Sequence, residues 1–256
     1  MNTYYFDQYK ITELSYFEYK DLVKNLLSTE DDKLINIFEE IIKKHVNADR
    51  DLHVGDKIKI LLLLRSMTLG EEISLNLNGK IFSYDINKII DSVNVNKNDF
   101  LFKKIKFNLP KKIYYETKFD CLIDNFKSFE LNGKEKKIDN YSFDEKKIIF
   151  QNLLGFEIKE ITNEFNEYIT KFYLKTINDI KINLFDKDLI NFIKNIFETD
   201  INELYDIEYS IMNHLKFNPS VFNEYGLPEL RIFLNKFIKE KEELKKAKSG
   251  NSGIQI

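Results

Sequence analysis

The chain has 256 residues, 43% of them hydrophobic, and a formal net charge of −3, so it is long enough for two domains with real cores. Only three of its 39 basic residues are arginines, and without a basic surface we expect no direct nucleic-acid binding. The single cysteine, Cys121, excludes an internal disulfide and a cysteine-based zinc site, and no apolar stretch reaches the roughly 20 residues of a membrane span.

The first two predicted elements are amphipathic helices. Ser15 and Glu18 form a capping box at the start of the first helix, because each side chain can bond a backbone N–H that the first turn leaves unpaired. The second helix follows an acidic turn at 29–32, and its apolar residues recur at helical spacing. One side of it carries Leu34, Phe38, Ile41, Ile42 and His45.

The third predicted helix is the most informative feature of the chain. Gly55 and Asp56 form its start, Gly70 ends it, and the stretch between them, from Ile58 to Met67, is apolar on almost every side. A helix with this pattern is buried rather than amphipathic. We therefore expect Leu64 and its neighbours to lie at the centre of a packed helical unit.

Arg65 lies in the last turn of this helix, and the acidic pair Glu71 and Glu72 follows the helix end. We predict that the guanidinium clamps the turn by bonding one of these carboxylates or a backbone carbonyl near Gly70, since its planar fork makes two bonds at once. A contact with a partner protein is the alternative.

The chain then changes to strand character. Residues 73–77 alternate between apolar and polar, Asn78-Gly79 is typical of a two-residue hairpin turn, and Lys80–Tyr84 forms the returning strand. A short helix at Asp85–Val93 is predicted to follow this first hairpin.

Another strand and a second hairpin are predicted in the middle of the chain. The strand ends at Pro110, and one of its faces is expected to carry Leu101, Ile105, Phe107 and Leu109. The hairpin joins Phe126–Leu131 to Lys134–Ile138 through Asn132-Gly133. Its lysines suit a solvent-facing edge that must resist aggregation.

From Ser142 onward the sequence predicts mostly helices. Ser142 and Glu145 form a capping box at the start of the first of them. A short strand is expected at 180–184. The remaining helices are expected at Glu157–Leu174, Asp188–Phe197, Asp200–Leu215 and from about Glu229.

The last helix is the candidate partner-binding element. Its apolar stripe includes Phe233, Phe237 and Ile238, and it continues into a mixed-charge extension that contains Lys241. A lone domain does not need such a projecting end, so we predict that these four residues contact a partner. Burial of the stripe within the chain would leave only Lys239–Lys248 for docking.

These elements predict an α+β fold, predominantly helical, with two β-hairpins and a small antiparallel sheet. We expect a helical unit plus hairpin at 1–95, a second hairpin followed by a helical half at 96–248, and a flexible tail at 249–256.

No motif in the sequence has the spacing of a catalytic or metal site. The three histidines, His45, His53 and His214, do not form an HExxH pair, and the chain lacks GxSxG, P-loop and GxGxxG patterns. Apolar and acidic neighbours would raise the thiol pKa of Cys121. We therefore expect a buried cysteine, a packed His45, no enzymatic activity, no cofactor and no metal.

The segment KIKILLLLRSMTLGEEI resembles the signature of the T-even-type phage baseplate hub and hub-assembly proteins, in which an Asp-initiated apolar helix runs into an arginine, a glycine and a glutamate. The preceding helices, the first hairpin with its short helix, and the helical second half also look like that family. Many members carry paired cysteines near the hairpin, and this chain has none there. The matching positions are Asp56, Leu61, Leu62, Leu64, Arg65, Ser66, Thr68, Gly70 and Glu71.

The resemblance implies a non-enzymatic protein of the phage tail baseplate, either a hub subunit or a hub-assembly factor. Its partners would be other baseplate or tail proteins, with self-association into an oligomer left open. It would act in the host cytoplasm during assembly and, as a resident subunit, in the virion tail baseplate. Two alternatives stand: an enzyme with an unrecognised site, and a host-interaction protein of a low-GC phage or bacterium.

Overall fold

The structure, a computed structural model, describes residues 3–6, 9–48, 51–77, 80–96, 98–176 and 179–250. Helices account for 59% of the described residues, and all the sheets are small and antiparallel. This composition confirms the predicted α+β class with helices dominant. The turn predicted at Asn78-Gly79 lies outside the described residues, as do residues 251–256 of the predicted tail.

Eleven α-helices occur in the described part of the chain. A 3₁₀ turn separates the sixth from the seventh, and a π-helical turn, Ile211–Leu215, extends the ninth. Among these helices, none combines the length and the apolar character needed to cross a membrane. They are α1 (Tyr16–Ser28), α2 (Asp31–His45), α3 (Val54–Leu69), α4 (Ile86–Ser92), α5 (Lys118–Asp124), α6 (Phe143–Leu154), α7 (Ile158–Ile169), α8 (Lys187–Phe197), α9 (Ile201–Ser210), α10 (Pro219–Phe222) and α11 (Leu227–Gly250).

The described strands form four antiparallel sheets, and both predicted hairpins are among their pairs. Capping boxes begin α1 and α6, as predicted. The sheets contain, in spatial order, β1 (Thr3–Phe6), β2 (Tyr9–Thr12) and β3 (Val46–Asn47); β4 (Glu72–Leu77) and β5 (Lys80–Asp85); β6 (Phe100–Phe102), β7 (Ile105–Phe107), β8 (Phe126–Leu131) and β9 (Lys134–Lys137); and β10 (Tyr173–Lys175) and β11 (Lys181–Asn183).

The prediction of one strand through Leu101 and Leu109 is wrong. Lys103 has a φ of 52° and turns the chain, so β6 and β7 pair as a hairpin instead of forming one strand. Leu101 is consequently 57% exposed, whereas Ile105 and Phe107 are buried on the other face. Apolar alternation alone does not show where a strand reverses.

The predicted helix at Glu157–Leu174 is too long. It starts at Ile158 and ends at Ile169, and its last predicted residues belong to β10. The backbone of Tyr173 bonds Asn94, with N–O distances of 2.7 and 3.1 Å, so pairing with distant residues overrides the local helical pattern here. The N-terminal sheet was likewise not predicted, because strands of two to four residues are too short to show a period.

Helix α3 is at the centre of the core. Ten of its sixteen residues are buried, and it contacts α2, α4, α8 and α11 as well as β2. The prediction of a buried central helix is therefore confirmed. Buried side chains from Tyr9 to Leu230 join in one hydrophobic cluster, so the segments predicted at 1–95 and 96–248 contribute to a common core.

The C-terminal helices pack directly on α1. The hydroxyl of Tyr16 donates to the carbonyl of Leu204 at 2.5 Å, and that of Tyr19 donates to Phe197 at 3.1 Å. The strand-like bridge between Ser15 and Gly226 adds a backbone contact. These bonds hold the C-terminal helices, from α8 through α11, against α1.

We expect Leu62→Asp to unfold the N-terminal half. Leu62 is fully buried, and a carboxylate placed there would have no partner, which costs roughly 4 kcal/mol or more of folding free energy. The same change at Leu64 should act alike. Leu27→Asp is the matched control, because Leu27 is 60% exposed; urea unfolding monitored by circular dichroism compares the variants. Equal midpoints for Leu62→Asp and Leu27→Asp would contradict the central role of α3.

Candidate functional site

Arg65 is a buried cation at the end of α3, with 7% of its surface exposed. Its Nη1 donates to the carbonyl of Gly70, its Nη2 to the carbonyl of Glu72 at 3.0 Å, and its Nε to the carbonyl of Ile196 at 2.9 Å. The acceptors are thus backbone carbonyls, one of the two kinds predicted, and not the carboxylates of Glu71 and Glu72.

These three bonds join the ends of two helices. Gly70 ends α3 with a φ of 97°, a conformation that favours glycine, and Ile196 lies in the last turn of α8. Carbonyls at helix C-termini carry a partial negative charge that stabilises a nearby cation. Burial lowers the pKa of Arg65, but so basic a group stays charged at neutral pH.

The start of α3 differs from the prediction. The helix begins at Val54, and His53, not Gly55 or Asp56, is its N-cap: the Nδ1 of His53 accepts from the backbone N–H of Asp56 at 3.3 Å. Asp56 faces the first turn, where a carboxylate is favourable, and accepts from the hydroxyl of Tyr9 at 3.1 Å.

The other two motif residues have structural settings of different kinds. Leu64 is fully buried in the core. Glu71 has an exposed side chain, and its carbonyl accepts from the N–H of Ile86 at 2.8 Å. The five motif residues therefore lie along one helix and its two ends, and they do not converge on a pocket.

Glu18, Lys44 and His45 form a polar network between α1 and α2. Oε1 of Glu18 lies 2.5 Å from Nζ of Lys44 and 3.2 Å from Nε2 of His45, and Oε2 accepts from the N–H of Ser15 at 2.8 Å. Burial alone would raise the pKa of Glu18, but hydrogen bonds from His45, Lys44 and Ser15 outweigh it and hold the pKa well below its ordinary 4.5. His45, 6% exposed, is packed as predicted.

The other candidate reactive groups lie in separate places. Cys121 is buried, as predicted, and burial raises the pKa of its thiol far above the usual range. The ring of His214 stacks on Phe237 with centroids 5.3 Å apart. Across the described ranges, no three His, Cys, Asp or Glu residues are grouped so as to hold a metal ion.

The predicted partner-binding residues on α11 divide into two pairs. Phe233 packs against the rings of Phe217 and Tyr225, which lie on either side of α10, with centroids 5.7 Å away in both cases. Phe237 stacks on His214, so Phe233 and Phe237 are half-buried within the chain. Ile238 is 51% exposed. Lys241 is exposed, and its Nζ lies 5.3 Å from the ring centroid of Phe237.

A groove between α1 and α2 was not predicted from the sequence. It encloses about 310 Å³, and its only sequence signal is Phe17, an aromatic residue on the polar side of α1 that is 55% exposed. We call it the α1–α2 groove, and its lining includes Phe17, Asp21, Leu22, Ile37, Glu40 and Ile41.

We predict that Arg65→Lys destabilises the protein by about 2–3 kcal/mol, because a single ammonium cannot reach the carbonyls of Gly70, Glu72 and Ile196 together, and each unpaired buried carbonyl has a cost. Chemical denaturation measures the change. Arg231→Lys is the control, since Arg231 pairs with Glu203 at the surface, at 2.9 Å, and should shift stability by less than about 0.5 kcal/mol. An unchanged midpoint for Arg65→Lys would refute the clamp.

Glu18→Gln should lower stability at neutral pH by about 1–3 kcal/mol, the value of charged hydrogen bonds in a partly buried network. The folded pKa of Glu18 lies below its ordinary value of 4.5, so its contribution is present above that unfolded value and is lost as the pH falls from there toward the folded pKa. The difference in the free energy of unfolding between wild type and Glu18→Gln should therefore disappear at acidic pH.

Glu30→Gln is the matched control for this pH series. Its carboxylate pairs with Lys33 at 3.5 Å, and both side chains are largely exposed, so the effect should be small at every pH. Denaturation curves collected between neutral and acidic pH give both series. A Glu18→Gln effect that did not change with pH would show that the carboxylate charge is not what stabilises the network.

Comparison with known proteins places these features in one family. A family profile described as T4 bacteriophage base plate protein matches residues 3–182, well over half of the chain. The match contains α1, α2, α3 and the first hairpin, and it ends before Ile196, the acceptor on α8. No curated protein and no solved structure matches the chain. The chain belongs to the family of T4 bacteriophage base plate proteins.

Proposed function

We propose that this protein is a non-enzymatic component of the phage tail baseplate that acts through protein–protein contacts, either as a hub subunit or as a factor that assembles the hub. The family match carries the proposal. It spans the unit built around α3 and Arg65, whose chemistry is that of packing and hydrogen bonding. The proposal requires no cofactor and no metal.

Exposed apolar residues support a role in binding other proteins. Tyr205, Tyr209 and Met212 are 47%, 66% and 41% exposed, and their spacing along α9 and the turn that extends it places them on one face. Such stripes are a common feature of interaction surfaces. Nζ of Lys20 and Nζ of Lys24 lie 5.4 and 5.8 Å from the centroid of the Tyr205 ring. Lys20 is also paired with Glu208 at 2.7 Å, so the border of the stripe combines an ion pair with the exposed Lys24.

Helix α11 supports the same role. Its first half packs on the body through Phe233 and Phe237, whereas Ile238, Lys241 and Leu244 are exposed. The segment 239–250, which we call the α11 extension, is helical to its end. We propose that this extension, with Ile238 and Lys241 at its base, docks on a partner.

The proposed partners are other baseplate or tail proteins and not nucleic acid, since the chain is acidic overall and poor in arginine. The proposed location is the host cytoplasm during assembly, followed by the virion tail baseplate if the protein is a resident subunit. Mass spectrometry of purified virions tests this location: stoichiometric amounts support a hub subunit, and absence supports an assembly factor.

Truncation after Ile238 tests the docking role of α11. The removed side chains up to Leu244 are exposed, so we expect the shortened chain to keep its fold and melting temperature. We expect the yield of infectious particles in a complementation assay to fall at least about tenfold, as loss of a docking contact would cause. Truncation after Gly250 is the control and should leave the yield unchanged. A full yield from the chain ending at Ile238 would show that the α11 extension is not the docking element, and the interface would then be sought on the hairpins.

A further inference from the structure

The apolar stripe of α11 continues beyond the body of the protein. Leu230, Phe233 and Phe237 lie on its packed face, and helical spacing puts Leu244 on the same face. Leu244 is 57% exposed and lies about 10 Å along the axis beyond Phe237, at 1.5 Å per residue. A leucine on the packing face but outside the body is suited to contact with another molecule.

The charge of the α11 extension restricts what that molecule can be. Residues 239–248 contain five lysines and three glutamates. The last three charged residues of this segment are all lysines: Lys245, Lys246 and Lys248. A surface complementary to this segment would be apolar at its centre and acidic at its rim.

The α1–α2 groove has both properties. Phe17, Ile37 and Ile41 give it a partly exposed apolar lining over the buried Leu22. The carboxylates of Asp21 and Glu40 are exposed at its border, whereas the carboxylate of Glu18 beside them is already paired with Lys44.

The extension is long enough to cover the groove. The α1 residues that line the groove run from Phe17 to Asn25, about 12 Å at the helical rise. The extension, 239–250, would be about 18 Å long at the same rise. An apolar contact and ion pairs on the neighbouring turns can therefore form together.

We propose that the α11 extension of one copy of this chain docks in the α1–α2 groove of a second copy. Leu244 contacts Phe17 and the two isoleucines, and lysines of the extension pair with Asp21 and Glu40. The two surfaces differ, so the contact is heterologous: every added copy presents a further groove or extension, and association continues into a ring or a chain. This inference deepens the docking role proposed above for α11 and rests on it.

Sedimentation of the purified full-length protein tests the proposal. The weight-average mass of wild type should rise with concentration and fall when salt is added, because the ion pairs are screened. Two variants should each weaken self-association at least about tenfold: the charge reversal Asp21→Lys with Glu40→Lys, and the truncation after Ile238. Glu164→Lys with Glu167→Lys is the control, since both residues are exposed on α7 and the change in charge is the same; it should associate as wild type does.

Mixing the two variants gives the decisive result. The charge-reversed chain keeps its extension and the truncated chain keeps its groove, so together they should form a one-to-one dimer that neither forms alone and that cannot grow further. Wild type that stays monomeric at every concentration would overturn the proposal. A mixture that stays monomeric while wild type associates would overturn it too, since the contact must then involve other surfaces.

The outcome is separable from that of the proposed function. Monomeric wild type together with a lost particle yield after truncation would mean that α11 docks on a different baseplate protein. Self-association together with a full yield from the truncated chain would mean that the contact between copies is not needed for assembly.

Discussion

The structure depends on one buried cation. Arg65 has three carbonyl acceptors within the protein and no carboxylate among them, so its charge is stabilised by the dipoles of helix ends and by hydrogen bonds. Each acceptor left without a donor in a buried site costs about 1–3 kcal/mol. The end of α3, the start of β4 and the end of α8 are therefore held in one arrangement, because moving any of them leaves part of the guanidinium unpaired.

This arrangement explains why the helices after residue 182 belong to the same body as the matched region. Ile196 supplies one acceptor for Arg65, and the adjacent Phe197 accepts from Tyr19. Both donors lie within the span of the family match, and both acceptors lie beyond it. Nε of Arg65 and the hydroxyl of Tyr19 thus find their acceptors on α8. Without that helix, both buried donors would lose these hydrogen bonds.

Local signals in the sequence predicted local features well. The capping boxes, the second hairpin turn and the all-round apolar pattern of α3 each depend on residues within a few positions of one another, and each is present. The features that were not predicted have two different causes. The pairing of Tyr173 with Asn94 and that of β2 with β3 join residues that are distant in sequence. The chain reversal at Lys103 and the pairing of β1 with β2 are local, but strands of three or four residues are too short to show a period. The same division applies to the candidate site. The sequence indicated that Arg65 bonds near Gly70, but its third acceptor, Ile196, lies 131 residues away and has no marker in the sequence.

Glu18 has several structural roles at the α1–α2 groove. One carboxylate caps α1 through Ser15, ties α1 to α2 through His45 and Lys44, and lies in the wall of the groove. Because it has all three roles, its substitution would change the shape of the groove along with its charge. Asp21 and Glu40 are exposed at the border, and neither takes part in this network. The groove therefore has an inner carboxylate that maintains its walls and outer carboxylates at its border, and this separation would let the proposed binding be altered while the fold is kept.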